Sequence, residues 1–318
     1  MKNQSLTYCK LLFSIIFIGF FAQAQIAPKI DIAFVNRVEN ELASDKTEGR
    51  EIFSAGIELA SKIIETEFQK IGLSYYTDLK NYRQEFVTDQ KPTNNVIGVL
   101  PGKSNPNEIV IFSAHFDHLG MKTDGDDKIY NGANDDASGV TAVIALAKYF
   151  KELSNNERTI IFVAFTGEET GGYGSAYFTK NINPEQVVAM FNIEMIGTES
   201  KWGRNSGFIT GFEKSNFGEI LQRNLKGTNF DFYPDPYPTE QLFYRSDNAR
   251  LAAVGVPAHT ISTSKMDSEP NYHQLSDEVA TLDLNNMTSF INAIALSSKT
   301  IISAQDTPTR VEKLKSKK

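Results

Sequence analysis

The 318-residue sequence predicts an α/β fold with a mostly parallel central sheet sandwiched by helices. Two observations carry this. The runs EIVIFSAHFDH (108–118), RTIIFVAFTGEE (158–169) and VVAMFNIEMIG (187–197) are apolar and largely β-branched or aromatic, as strands buried on both faces are. They alternate with amphipathic stretches of helical period, the order expected of parallel strands joined by crossover helices.

The chain opens with MKNQSLTYCKLLFSIIFIGFFAQAQ. Lys2 and Lys10 precede an apolar run from Leu11 to Ala22, and Ala22-Gln23-Ala24 follows. Charge, apolar run and small residues in that order make a secretory signal peptide. Residues 1–24 are therefore expected to be removed before Gln25, leaving 25–318 as a single secreted or periplasmic domain. The apolar run is shorter than the roughly 20 residues of a spanning helix, and no second one follows. No stable membrane insertion is expected after cleavage.

Cys9, the one cysteine, leaves with the signal. The mature chain then has no disulfide and no thiolate for a metal or a substrate, so any metal must be held by His, Asp and Glu. The formal net charge of −7 comes without a long basic run before the tail KLKSKK, which argues against a nucleic-acid partner.

Apolar positions from Ile52 to Ile71 recur at three- and four-residue steps and predict a helix stopped by Gly72. NNVIGVLPG (94–102) reads as a strand closed by Pro101-Gly102. After the strand 108–118 come a polar loop and a helix in DASGVTAVIALAKYFKEL (136–153), then the strand 158–169 and a helix in GGYGSAYFTKN (171–181). Beyond the strand 187–197, FGEILQRNLK (217–226) and SDNARLAAVGV (246–256) read as helices, PAHTIST (257–263) as a strand, and 282–302 as a long terminal helix.

Ligands of open α/β sheets collect beyond the carboxyl ends of the strands, and three of these strands end in HFDH, GEE and NIEM. Each ending admits two readings. His115 and Asp117 are two apart and point the same way on an extended segment; they are either a polar strand end or a metal-binding imidazole with a carboxylate that orients it. Asp135 and Asp136 in NGANDDASGV fit a helix cap, but a cation nearby would account for the second acid. Glu168 and Glu169 are either surface acids or a base beside a ligand. Glu194, set among apolar residues, needs a cationic partner or a metal. His273, in YHQLSDE, is uninformative alone, but a site without cysteine needs imidazoles. His259, in GVPAHTI, reads as a satisfied core histidine, and His118 as a structural or rim residue. Tyr244 and Arg245 either face a substrate or form a surface pair with Asp247.

NNVIGVLPG, SAHFDHLG, NGANDDASGV, FTGEETGGYGS, NIEMIG, RSDNARLAAVGVPA and YHQLSDE, in this order from Asn94 to His273, resemble the secreted M28 family of zinc aminopeptidases. The resemblance implies the zinc-dependent exopeptidase fold and a pair of zinc ions. It implies that His115 and Glu194 complete one ion, Glu169 and His273 the other, and that Asp135 bridges both. Glu168 matches the general base and Asp117 the partner of His115, and the Asp135-Asp136 bond is a candidate for the cis form. Many members carry aspartate where Glu194 stands, and ISTSKMDSEPN before YHQLSDE departs from the family's usual residues. The implied activity is an aminopeptidase acting on peptides with a free N-terminus. A single-zinc glutaminyl cyclase, a peptidase of other end-specificity and a non-catalytic binding protein are the alternatives on such a scaffold.

Overall fold

The computed structural model describes residues 28–315, so the expected signal segment, its cleavage point and Cys9 lie outside the described residues. Helix α1 (Ile32–Leu42) and helix α2 (Ala55–Ile71) come first. Ser54 caps α2 by accepting the Ile57 N–H at 3.2 Å, and Gly72 ends it in the left-handed conformation at φ 75°. Strands β1 (Arg83–Thr88), β2 (Lys91–Leu100) and β3 (Asn105–His115) lead to helix α3 (Ser138–Leu153). Strand β4 (Arg158–Phe165), helix α4 (Tyr173–Lys180), strand β5 (Val187–Ile193) and strand β6 (Ser206–Ile209) follow. Helix α5 (Phe217–Leu225), strand β7 (Asp231–Pro234), helix α6 (Asn248–Ala253), strand β8 (Ala258–Ser262) and helix α7 (Leu284–Ser297) complete the main elements.

The sheet runs β1-β2-β4-β3-β5-β8-β6-β7. Its centre, β4-β3-β5-β8, is parallel throughout, as expected. The flanks add antiparallel pairs: β1 with β2, β2 with β4, and β6 with β8. The β1-β2 hairpin turns on Asp89 and Gln90, both at positive φ (47° and 62°). Such a turn usually announces itself by Asn-Gly or Asp-Gly, and that signal is absent here. Strands β6 and β7 span four residues each, too short to show a period.

Both faces of the sheet are covered. On β3 and β4, Val110, Phe112, Ile160 and Phe162 join the helix layer of α1, α2, α3 and α7, while Ile111, Ile161, Val163 and Phe165 pack on the other face with Phe178 of α4 and Leu251 of α6. The period-2 alternation of two apolar sets is why these strands read as unbroken apolar runs. Phe112 sits at the centre, with Phe191, Phe150 and Phe162 at 4.8, 5.6 and 5.8 Å between ring centroids. Because the central strands are parallel, His115, Glu168, Glu194 and Ser264 all follow or end strands on the same edge.

Candidate metal centre

Three buried carboxylates fix the backbone of the segments that meet at this edge. Asp136 accepts the N–H groups of His115 (3.3 Å), Gly139 (3.0 Å) and Met195 (3.0 Å), joining the end of β3, the start of α3 and the end of β5. Asp277 accepts those of Asn134 (2.8 Å) and Asp135 (3.0 Å). Asp117 accepts those of Glu168 (3.1 Å) and Glu169 (3.3 Å). Each bond satisfies a donor that would cost about 1–3 kcal/mol if buried unpaired. The second acid of the Asp135-Asp136 pair is thus a backbone acceptor; its bond to Gly139 N–H fits the helix-cap alternative, and its bonds to His115 and Met195 go beyond a cap. The peptide bond between the two is cis.

The side chains held this way converge. His115 is buried, and its Nδ1–H donates to the carbonyl of Asp117 at 3.1 Å. The Asp117 carboxylate, expected to be its partner, stands farther off at 3.8 Å and serves the Glu168–Glu169 backbone instead. His115 Nε2 lies 3.2 Å from Asp135 Oδ1. His273 Nε2 lies 3.3 Å from Asp135 Oδ2 and 3.1 Å from Glu169 Oε2. Neither oxygen is in line for a hydrogen bond, and this Nε2 has no hydrogen-bond partner. Ligand atoms of His115, Asp135 and Glu169 all fall within 4.8 Å of one another. Imidazole nitrogens and carboxylate oxygens this close together could hold a metal ion.

The electrostatics point the same way. Burial, reinforced by the charges of Glu194, Asp247 and Asp117, pushes Glu168 up to about 10 against the pull of His115. Burial also lifts Glu194 to about 7 and Asp117 to about 6. Burial opposes a charge on His115, yet Asp135, Glu168 and Asp136 raise its proton affinity well above the ordinary value. Asp247 is buried with both carboxylate oxygens unpartnered. So much negative charge out of water calls for positive charge, as protons or as metal ions. The donor set of imidazoles and carboxylates fits zinc.

Glu194 stands at the end of β5, where Asn192 Nδ2 donates to its Oε2 at 3.3 Å. It lines a cavity of about 260 Å³ with Asp135, Glu168, Glu169 and His273. Apolar Met195, Phe208, Leu242 and Met266 form part of the same wall. Met195 and His273 both hold left-handed backbone, at φ 52° and 57°. Non-glycine residues do so rarely, and such strain gathers at functional sites.

The structure decides between the readings left open for some residues and adds others. His118 is buried within the centre, where its Nδ1 bonds Glu169 Oε1 at 2.9 Å, so it is not a rim residue. Its HxxH spacing from His115 was the available signal. Tyr272 stacks on His273 with ring centroids 3.9 Å apart and lines the cavity. Arg245 also lines the cavity but pairs with exposed Glu240 at 3.1 Å, so the surface pair with Asp247 does not form. Tyr244 is half-exposed against Phe243. His259 is a satisfied core residue as expected: Nδ1–H donates to Thr210 O at 2.8 Å and Nε2 accepts from Ser215 Oγ at 2.7 Å.

The chain is similar to several known proteins. A probable leucine aminopeptidase of Trichophyton verrucosum is 29% identical over 213 residues, 64% of this chain and 56% of that one. The chain thus spans about half the length of that curated relative. Among solved structures, a zinc aminopeptidase from Bacillus subtilis superposes with a TM-score of 0.72 at 13% identity, over 92% of this chain and 100% of that one. A glutaminyl cyclase of Bacteroides thetaiotaomicron superposes with a TM-score of 0.66 at 16% identity, over 88% of this chain and 100% of that one. These two likenesses are of fold. The sequence profile described as peptidase family M28 matches residues 95–297, well over half of the sequence and all the converging side chains, and the chain belongs to that family.

Proposed function

We propose that this chain is a two-zinc aminopeptidase, residues 25–318 forming one peptidase domain that a signal in residues 1–24 directs out of the cytoplasm. Among the described residues no helix is long and apolar enough to cross a membrane. The observation that carries the reading is the convergence of His115, Asp135, Glu169 and His273 beside a cavity of about 260 Å³.

In this reading His115 and Glu194 would hold one ion, Glu169 and His273 the other, and Asp135 would serve both. Bound there, zinc supplies a water acidic enough to ionise near neutral pH and polarises the scissile carbonyl. Glu168 stays off the metals. It takes the proton of the attacking water and delivers it to the leaving amine nitrogen. Its high proton affinity in the bare cluster means that it needs cationic neighbours to be ionised at neutral pH. Burial and the surrounding acids also push the Tyr272 hydroxyl up, so it keeps its proton and can donate to the developing oxyanion. A cavity of about 260 Å³ admits one large side chain, which suits removal of a single N-terminal residue.

The test is a panel of aminoacyl-p-nitroanilides, assayed before and after chelation and again with added zinc. The proposal expects release of p-nitroaniline that chelation abolishes and zinc restores. Hydrolysis indifferent to thorough chelation contradicts it.

The likeness to the glutaminyl cyclase favours a second reading, cyclisation of N-terminal glutamine on the same scaffold. Mass spectrometry of a glutamine-led peptide separates the two. Aminopeptidase action removes the whole residue, whereas cyclisation removes only ammonia.

A further inference from the structure

Residues 45–53 lie outside the family match and carry a charged side chain with no exposed surface, Arg50. Its guanidinium bonds four backbone carbonyls. Nε donates to Phe116 O at 2.8 Å, Nη1 to Leu42 O at 3.0 Å and Asn131 O at 2.6 Å, and Nη2 to Gly132 O at 2.8 Å. Phe116 follows His115, and Asn131 and Gly132 lead into Asp135. One rigid planar group therefore ties the end of β3 to the loop that carries the proposed bridging carboxylate.

The backbone around Arg50 repeats the connection. His118 N–H donates to Arg50 O at 3.2 Å and Gly120 N–H to Gly49 O at 2.9 Å. A Cβ on Gly49 would fall 2.2 Å from Gly120 O and 2.7 Å from Tyr130 O, so only glycine allows this approach. Glu48, Gly49 and Arg50 are consecutively left-handed, at φ 48°, 66° and 51°. Glu48 and Arg50, which lack glycine's freedom there, persist only where the surroundings over-determine them. Asp45 Oδ1 adds an outer tether by accepting from Asn131 Nδ2 at 3.0 Å.

We propose that Arg50 is a positioning residue for the metal centre: its fork sets the separation of the His115 and Asp135 segments at which both grip the same ion. The inference rests on the metal reading above and assigns to the N-terminal layer a part in building the site. Geometry is required as well as charge. A lysine would keep the charge as a single point that cannot span four carbonyls.

The experiment titrates zinc into the metal-free chain against a chromophoric chelator and follows hydrogen exchange over residues 113–120 and 130–137. The variants are Arg50→Lys, Arg50→Gln and Asp45→Ala, with Phe150→Leu in the core beneath Phe112 as a control of general stability. Folded Arg50 variants should bind zinc about 10- to 100-fold more weakly, the range for residues that orient metal ligands, and both segments should exchange faster. Asp45→Ala, at an exposed tether, should shift both readouts the same way, by less than the Arg50 variants do. Phe150→Leu should lower the unfolding midpoint but leave zinc affinity within about twofold, as expected of a distant site.

An Arg50→Lys chain that binds zinc and exchanges like the unaltered protein overturns the proposal. So does equal zinc loss in Phe150→Leu. If the Arg50 variants do not fold, Asp45→Ala decides, and unaltered affinity and exchange there overturn it. If the unaltered chain binds no zinc, the metal reading falls, and the exchange rates of the two segments still decide the clamp.

Discussion

The carboxylate of Asp277 accepts the backbone N–H of Asp135 at 3.0 Å, so the aspartate proposed to bridge two ions is held by another acid 142 residues away. Asn134 donates to the other oxygen at 2.8 Å. Asp277→Ala leaves two buried N–H groups without acceptors. It should cost about 2–6 kcal/mol, read as a lower denaturant midpoint, and should weaken zinc binding in the fraction that stays folded.

Glu168 and Glu169 are adjacent yet should behave differently. Glu168→Gln removes the base while keeping its shape and should lower kcat by about 10²- to 10⁴-fold with zinc content unchanged. Glu169→Gln removes a proposed ligand and should lower zinc content itself. Steady-state kinetics beside elemental analysis of both variants checks the division.

The two histidines of SAHFDHLG should divide as well. His115→Ala should remove one zinc per chain. His118→Gln should leave the count unchanged at saturating zinc, since His118 Nδ1 already bonds Glu169 Oε1, but should weaken the ion that Glu169 holds. Equal loss of count in both would contradict this assignment.

His259 predicts a pH dependence remote from the metals. Burial lowers its pKa from 6.5 to about 4, so the folded chain keeps it neutral where the unfolded chain binds a proton. Stability from this residue is fully present above pH 6.5 and is lost as pH falls toward 4, about 3 kcal/mol in all. Denaturant unfolding from pH 7 to 4 should show a fall that His259→Gln lacks, whatever its absolute stability.

The central strands and the three acidic strand ends were readable because burial on two faces produces long apolar runs and the ends are polar by contrast. The supports of the site were not. Asp136 looks like a helix cap or a ligand locally, and its acceptor role depends on N–H groups of His115 and Met195, the latter 59 residues away. Asp277 stands in the quoted YHQLSDE, but nothing within that motif shows that it faces Asn134 and Asp135. Arg50 carries no local pattern at all, because its partners are backbone carbonyls, which every residue has. The Asp89-Gln90 hairpin was hidden because neither residue is the glycine or asparagine that normally marks a left-handed turn.

The zinc content of the purified chain, dialysed against zinc and then freed of excess, decides between these readings. Two ions per chain are expected. One ion per chain contradicts the two-metal mechanism and favours the cyclase reading, and none contradicts the metal centre itself.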